Sequence, residues 1–327
     1  MQKILIIQTA FIGDVILATS VLENIHQSYP HAEIHFLLRK GNEKLLSGHP
    51  IVSKVLIWDK KQAKYPELLK LIRKVRTEKY DKVINLQRFA STGIITACAA
   101  ANNSIGFDKN PFSFLFSKKV NHNIGNGLHE VERNYALISD FVDGAVLPPK
   151  LYPSPDDFLY VKKYKQQDYI CISPTSVWFT KQFPADRWVA FINKIPKRYK
   201  IFLLGGPDDL SACEGIASKA KNENCVVLSG QLSLLQSAAL MKNAIMNYVN
   251  DSAPLHLCSA MNAPVRAVFC STVPEFGFGP LSDNSEIVQT KKKLACRPCG
   301  LHGLQNCKIE NFDCAYSIEI GELLAPV

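Results

Sequence analysis

The N-terminal stretch Lys3-Ile4-Leu5-Ile6-Ile7-Gln8-Thr9-Ala10-Phe11-Ile12-Gly13-Asp14-Val15 decides the fold. An unbroken apolar run of four residues followed by a short polar turn reads as a strand buried on both faces. From Val15 onward the apolar positions Val15, Leu22, Ile25 and Tyr29 recur near one helical face, so the turn leads into a helix. The run sits directly behind the start with no small-residue cleavage site after it, which marks a strand and not a signal peptide. The glycine fingerprint of dinucleotide-binding turns, Gly-x-Gly-x-x-Gly, is missing here, which argues against an NAD-type enzyme.

Outward from that unit the same alternation continues. Further strands are expected near residues 34–38, 55–58 and 83–86, and helices near 15–29, 66–78, 92–101 and 130–142. After Pro148, Pro149, Pro153 and Pro155 the pattern restarts. Strands are expected near 169–172, 201–204, 226–228, 245–249 and 265–269, separated by helices that start near Asp186, Asp208, Ser233 and Ser252. The fold class is therefore α/β, with two Rossmann-like doubly wound domains, residues 1–150 and 151–327, joined by a linker around 144–158. Sheets of this kind bind ligands at the carboxyl ends of their strands, so a cleft between the domains is the expected site.

Composition sets bounds on this reading. A chain of 327 residues, 47% hydrophobic and 20% charged, is long enough for two cores. Its longest apolar stretch falls far short of the roughly 20 residues a membrane span needs, and a cytoplasmic protein is expected. The net charge of +9 is uneven: residues 1–150 carry 20 Lys+Arg against 13 Asp+Glu, and the remainder carries 18 against 16. A basic N-terminal half suits a phosphorylated or membrane-bound partner. Nucleic acid is disfavoured, because the cations do not alternate with an aromatic platform and no binding motif appears.

Three constellations carry chemistry. Asp14 lies beside a helix N-terminus, where it is either an acid stabilised by first-turn amides and the helix dipole or a general base at a strand's carboxyl end. The loop Ser173-Pro174-Thr175-Ser176-Val177-Trp178-Phe179-Thr180-Lys181-Gln182-Phe183-Pro184 offers hydroxyls and a lysine to an anionic ligand. Asn250-Asp251-Ser252-Ala253-Pro254-Leu255-His256 follows a strand and opens a helix, with Asp251 or Ser252 as the expected cap and an anion site at the amides. His256 there either touches phosphate or is a satisfied, half-buried histidine.

In this order and at these intervals the motifs resemble those of glycosyltransferase family nine, the ADP-heptose:lipopolysaccharide heptosyltransferases. The family's Gly-Asp pair corresponds to Gly13-Asp14, its Pro-Gly-Ser-Val-Trp-x-Thr-Lys-x-Trp-Pro to residues 174–184, and its Asn-Asp-(Ser/Thr)-Gly-x-x-His to residues 250–256. Its later Phe-Gly-x-Thr corresponds to Phe269-Cys270-Ser271-Thr272. The resemblance implies a fold of the GT-B type, with acceptor on the first domain and nucleotide sugar on the second. It implies Asp14 as catalytic base, and Lys181 against the donor diphosphate with Ser176 and Thr180 beside it. It further implies Asp209 on the ribose, and Asp251, Ser252 and His256 along the phosphates. The implied reaction is an inverting, metal-independent transfer of heptose from ADP-heptose to a lipid-anchored lipopolysaccharide inner-core acceptor, with no catalytic cofactor and peripheral contact at the inner membrane. Ala253 and Cys270 stand where the family has glycines and Phe183 where it has tryptophan, so another nucleotide sugar is an alternative donor. A non-catalytic nucleotide or nucleic-acid binder is the alternative of a different class.

Four of the ten cysteines cluster near the C-terminus as Cys296-x-x-Cys299, Cys307 and Cys314. A cytoplasmic setting disfavours disulfides, and the spacing allows a structural tetrathiolate zinc site, although the second pair is spaced more widely than is usual.

Overall fold

The computed structural model of the protein describes residues 2–60 and 64–324. The chain divides into two compact units, Met1–Tyr152 and Pro153–Val327. The first contains β1 (Lys3–Ile7), α1 (Ile12–Ser28), β2 (Glu33–Arg39), β3 (Val52–Trp58), α2 (Lys64–Thr77) and β4 (Lys82–Asn85). It continues with α3 (Ala90–Ala97), β5 (Asn103–Phe107), β6 (Lys118–Val120) and α4 (Glu130–Tyr135). All its strands pair in parallel in the order β3-β2-β1-β4-β5-β6. Ile4, Leu5, Ile6 and Ile7 are fully buried, because helices cover both faces of the central strand. Leu5 and Ile7 join Leu37, Leu56 and Val83 against Val75 and Ile95 on one face.

The second unit begins with α5 (Pro155–Val161), whose cap Ser154 forms a capping box with Asp157. It continues through β7 (Tyr169–Ser173), α6 (Ala185–Ile192), β8 (Lys200–Leu203), α7 (Leu210–Lys219), β9 (Cys225–Val227) and α8 (Leu234–Met241). It ends with β10 (Met246–Asn250), α9 (Ala253–Met261), β11 (Val265–Phe269), β12 (Ser285–Gln289), α10 (Asp313–Tyr316) and α11 (Ile320–Leu324). The sheet order β12-β11-β10-β7-β8-β9 repeats the topology of the first unit, again all parallel. In each unit the order reverses at its first strand, so a crevice opens between β1 and β4 and between β7 and β10 at their carboxyl ends. No helix among the described residues is long and apolar enough to cross a membrane.

Several expected elements shift. The helix expected over residues 130–142 is shorter: α4 ends at Tyr135 and the chain continues in tighter turns, with Leu137 N donating to Asn134 O and Ile138 N to Tyr135 O. The expected linker contains the start of α5. Strands β5, β6 and β12 fall outside the expected set, because Asn103-Ser104-Ile105-Gly106-Phe107, Lys118-Lys119-Val120 and Ser285-Glu286-Ile287-Val288-Gln289 are not continuous apolar runs. β6 and β12 are edge strands, with one side outside the ladder. In β5, Gly106 makes room for Phe116, whose ring would lie 2.6 Å from an added Cβ.

Candidate active site

In the first unit the crevice is lined by polar groups that follow β1 and β4. Thr9 and Gln87 are buried and joined by a 3.1 Å hydrogen bond from Thr9 Oγ1 to Gln87 Oε1. Lys60 Nζ donates to Thr9 O and to Thr9 Oγ1, both at 2.9 Å. Asp14 is the third residue of α1, half-buried in its first turn. The N-cap is Phe11, with no side-chain cap bond, so Asp14 is a first-turn acid and not the cap. α4 packs against α1 and brings a second carboxylate into Asp14's electrostatic field, that of Glu130. Arg133, one turn on, donates from Nε to Glu130 Oε2 at 2.9 Å, and His122 Nε2 stands 3.9 Å from the same oxygen.

Burial, opposed by Arg133 and reinforced by Asp14, pushes the Glu130 carboxyl up to about 7, while burial holds the His122 imidazole down near 4. A carboxyl raised in the folded state contributes stability that is complete below its unfolded value and is lost as pH rises through about 7. Glu130→Gln does not titrate there. The melting-temperature advantage of wild type over this variant should therefore shrink between about pH 5 and pH 8. A gap that stays constant across that range would show that Glu130 titrates normally.

In the second unit the loop after β7 is wired to the end of β10 by Asn250. Its Oδ1 accepts from the Phe183 amide at 2.9 Å, and its Nδ2 donates to Thr175 O at 3.3 Å. Lys181 Nζ lies 2.7 Å from Asp251 Oδ2, an oxygen that also accepts from Thr272 Oγ1 at 2.6 Å. This ion pair, largely shielded from solvent, holds a cation after β7 against a carboxylate that Thr272 fixes. Ser176 is half-buried on the same loop and its carbonyl accepts from Gln182 Nε2.

Thr180 is buried. Its Oγ1 accepts from Leu304 N at 2.8 Å and from Ser271 Oγ at 2.9 Å, so this hydroxyl anchors the C-terminal tail beneath the lysine. Gly303 fits that anchorage: at φ +77° an added Cβ would lie 2.9 Å from Lys181 Cγ. Arg297 completes the clamp, donating to Cys270 O, Thr272 O and Gln289 Oε1, each at 2.7 Å.

Other expected residues take more local roles. Asp209 Oδ2 accepts from Gly206 N at 2.7 Å in the turn that opens α7 after β8. Ser252 occupies the N-cap of α9 without a side-chain cap bond, and its Oγ donates to Asn250 O, so the expected capping by Asp251 or Ser252 is corrected. Asp251 serves Lys181 instead. His256 is buried on α9. Cys270 is wholly buried among core residues including Ile172 and Cys314, so its side chain does not narrow a pocket. Phe183 packs edge-on against Trp188, at 5.1 Å between ring centres.

The tail cysteines are free thiols. Cys296, Cys299, Cys307 and Cys314 line one cavity of about 350 Å³ with Thr180. Among the described residues no three His, Cys, Asp or Glu side chains are arranged to hold a metal ion, so nothing here supports the tetrathiolate zinc set expected from the spacing. Burial, reinforced by the neighbouring Cys299, Cys296 and Cys307, raises the Cys314 thiol to about 12.

Sequence reasoning missed Asn250's wiring, the Glu130–Arg133 pair and the Arg297 clamp. Arg297 lies between Cys296 and Cys299, whose spacing drew attention to metal chemistry. Glu130 carried no signal beyond a helix start.

The motif-bearing loops thus gather within each unit at the switch point of its sheet. Lipopolysaccharide heptosyltransferase 3 of Escherichia coli is 27% identical to this chain over 289 residues, 84% of this chain and 85% of the relative. The solved structure of the E. coli ADP-heptose lipopolysaccharide heptosyltransferase II matches with a TM-score of 0.79 at 21% identity, covering 91% of this chain and 96% of that one. An E. coli heptosyltransferase solved with ADP matches with a TM-score of 0.73 at 21% identity, over 88% of this chain and 92% of that one. The two α/β units therefore have the fold of the GT-B heptosyltransferases. The description glycosyltransferase family 9 (heptosyltransferase) matches residues 68–302, and the chain belongs to that family of enzymes.

Proposed function

We propose that this enzyme transfers heptose from ADP-heptose to a lipopolysaccharide inner-core acceptor, with inversion and without a catalytic metal. The unit Met1–Tyr152 binds the acceptor, and the unit Pro153–Val327 binds the nucleotide sugar at the cytoplasmic face of the inner membrane. The observation that carries this reading is the Lys181–Asp251–Thr272 arrangement at the β7–β10 switch point of a family 9 chain. Lys181 meets the diphosphate, and Asp251 and Thr272 hold it ready. Asp14 takes the proton of the acceptor hydroxyl while that oxygen's electron pair attacks the anomeric carbon. The bond from that carbon to the diphosphate breaks on the opposite face, and the charge leaving with ADP is met by Lys181. The heptose donor is favoured over another sugar because Cys270, a departure from the family pattern, faces the core.

Hydrogen exchange with saturating ADP tests the division of labour. Protection is expected in residues 173–183 and 250–272. Protection confined to residues 1–140 would refute the assignment of the donor to the second unit.

A further inference from the structure

Along the β4-β5-β6 flank of the first sheet, the loops at the strands' carboxyl ends display large apolar side chains to solvent. Phe89 follows β4, Phe114 and Leu115 follow β5, and Leu128 follows β6; they are 61%, 69%, 54% and 42% exposed. Because the three strands are neighbouring and parallel, these loops share one edge.

The display is built, not accidental. In Asp108-Lys109-Asn110-Pro111-Phe112-Ser113-Phe114-Leu115-Phe116, a 3₁₀ turn at Ser113–Leu115 projects Phe114 and Leu115 outward while Phe116 is buried over Gly106. Buried Asn110 fixes the loop. Its Oδ1 accepts from Phe112 N at 3.0 Å, and its Nδ2 donates to Gln87 O at 3.1 Å and Phe89 O at 3.0 Å. One amide side chain thus locks the Phe114–Leu115 turn to the loop that carries Phe89. The only carboxylate within residues 108–117, Asp108, is turned away and accepts from His122 N and Asn121 Nδ2. Exposed Lys109 and Lys119 and half-buried Arg88 leave the flank cationic, in the half of the chain that holds most of its positive excess.

We propose that this rigid aromatic and basic edge is a docking wedge for an anionic phospholipid bilayer surface, with Phe89, Phe114 and Leu115 entering the headgroup boundary. Amphipathic surfaces that pair aromatic or leucine side chains with cations bind such interfaces by combining apolar burial with attraction to anionic lipid. The wedge shares its edge with the β1–α1 turn that leads into Asp14 in the first turn of α1, so a lipid-anchored acceptor would emerge beside the base. To that extent the inference rests on the proposed acceptor.

Co-sedimentation of the full chain with phosphatidylcholine vesicles containing about one-third phosphatidylglycerol tests it. Wild type should bind, more weakly at high salt. The double variant Phe114→Ser/Leu115→Ser should partition at least about tenfold less, while its ADP affinity is unchanged. Wild-type binding no greater than to neutral vesicles, or an unchanged double variant, would overturn the wedge. So would concentration-dependent self-association that the double variant abolishes, since the edge would then seat a second copy. Transfer to a water-soluble, deacylated acceptor needs no bilayer. Its failure in wild type would count against the proposed reaction, whereas its success without vesicle binding would count against the wedge alone.

Discussion

Asp14→Asn is expected to fold, to bind ADP as tightly as wild type, and to transfer sugar at least about 10²-fold more slowly. The geometry separates the two roles open to this aspartate. Phe11 holds the N-cap of α1 without a side-chain cap bond, and Asp14 is in the first turn, so its replacement removes no cap. What is lost to stability is the favourable placement of a negative charge at the helix's positive end, about 0.3–1 kcal/mol. Asn keeps the shape and still accepts a hydrogen bond, but it cannot take a proton from a hydroxyl. Glu130, a carboxyl in Asp14's field, is held by Arg133 and buried where α4 packs against α1. The decisive measurement pairs melting temperature, ADP affinity and initial transfer rate. A folded, ADP-binding variant with near-wild-type transfer would remove Asp14 from the chemistry.

The central strands of both sheets were legible because burial on two faces forces continuous apolar runs, as in Ile4-Leu5-Ile6-Ile7 and Tyr169-Ile170-Cys171-Ile172. Toward the flanks that pressure relaxes. Lys118-Lys119-Val120 and Ser285-Glu286-Ile287-Val288-Gln289 sit at sheet edges, and their composition is that of a loop until the neighbouring strand supplies the ladder. Helix lengths fared similarly: apolar spacing continues through residues 136–142, but there the three-residue bonds from Leu137 N, Ile138 N and Phe141 N interrupt the four-residue ladder that returns only from Val142 N to Ile138 O.

At the site, residue types and order were readable while their partners were not. The pattern around Lys181 marked an anion-binding loop, but nothing in it shows that Thr180 faces the tail or that Asp251 faces the lysine. Those contacts join positions 70 to 124 residues apart in sequence. Asp251 illustrates the difference. As a bare carboxylate near phosphates it would repel the ligand, whereas 2.7 Å from Lys181 it orients the cation that attracts it. For the cysteines the spacing suggests a ligand set, and the fold brings Cys296, Cys299, Cys307 and Cys314 to the lining of one cavity without arranging three of them as a metal site.

Lys181→Ala should lower kcat/KM for the sugar nucleotide by about 10²-fold, with both a higher KM and a lower kcat. Both parameters move because the diphosphate is already charged when bound and gains charge as the glycosidic bond breaks. The variant should also be less stable, because removing one partner of a pair this shielded leaves Asp251 as a buried carboxylate that still accepts from Thr272 Oγ1 but has lost its cation. That loss is about 3–5 kcal/mol for a fully buried pair and smaller here, since Lys181 retains some exposure. Destabilisation and lost catalysis can be told apart with Lys181→Ala/Asp251→Ala, which removes the stranded charge together with its partner. The double variant should regain much of the melting temperature lost by the single one without regaining transfer. If stability and rate returned together, Lys181 would be a structural cation and the diphosphate would have to be met elsewhere. If the single variant showed unchanged kinetics, the donor loop would lose the residue on which the proposed reaction most depends.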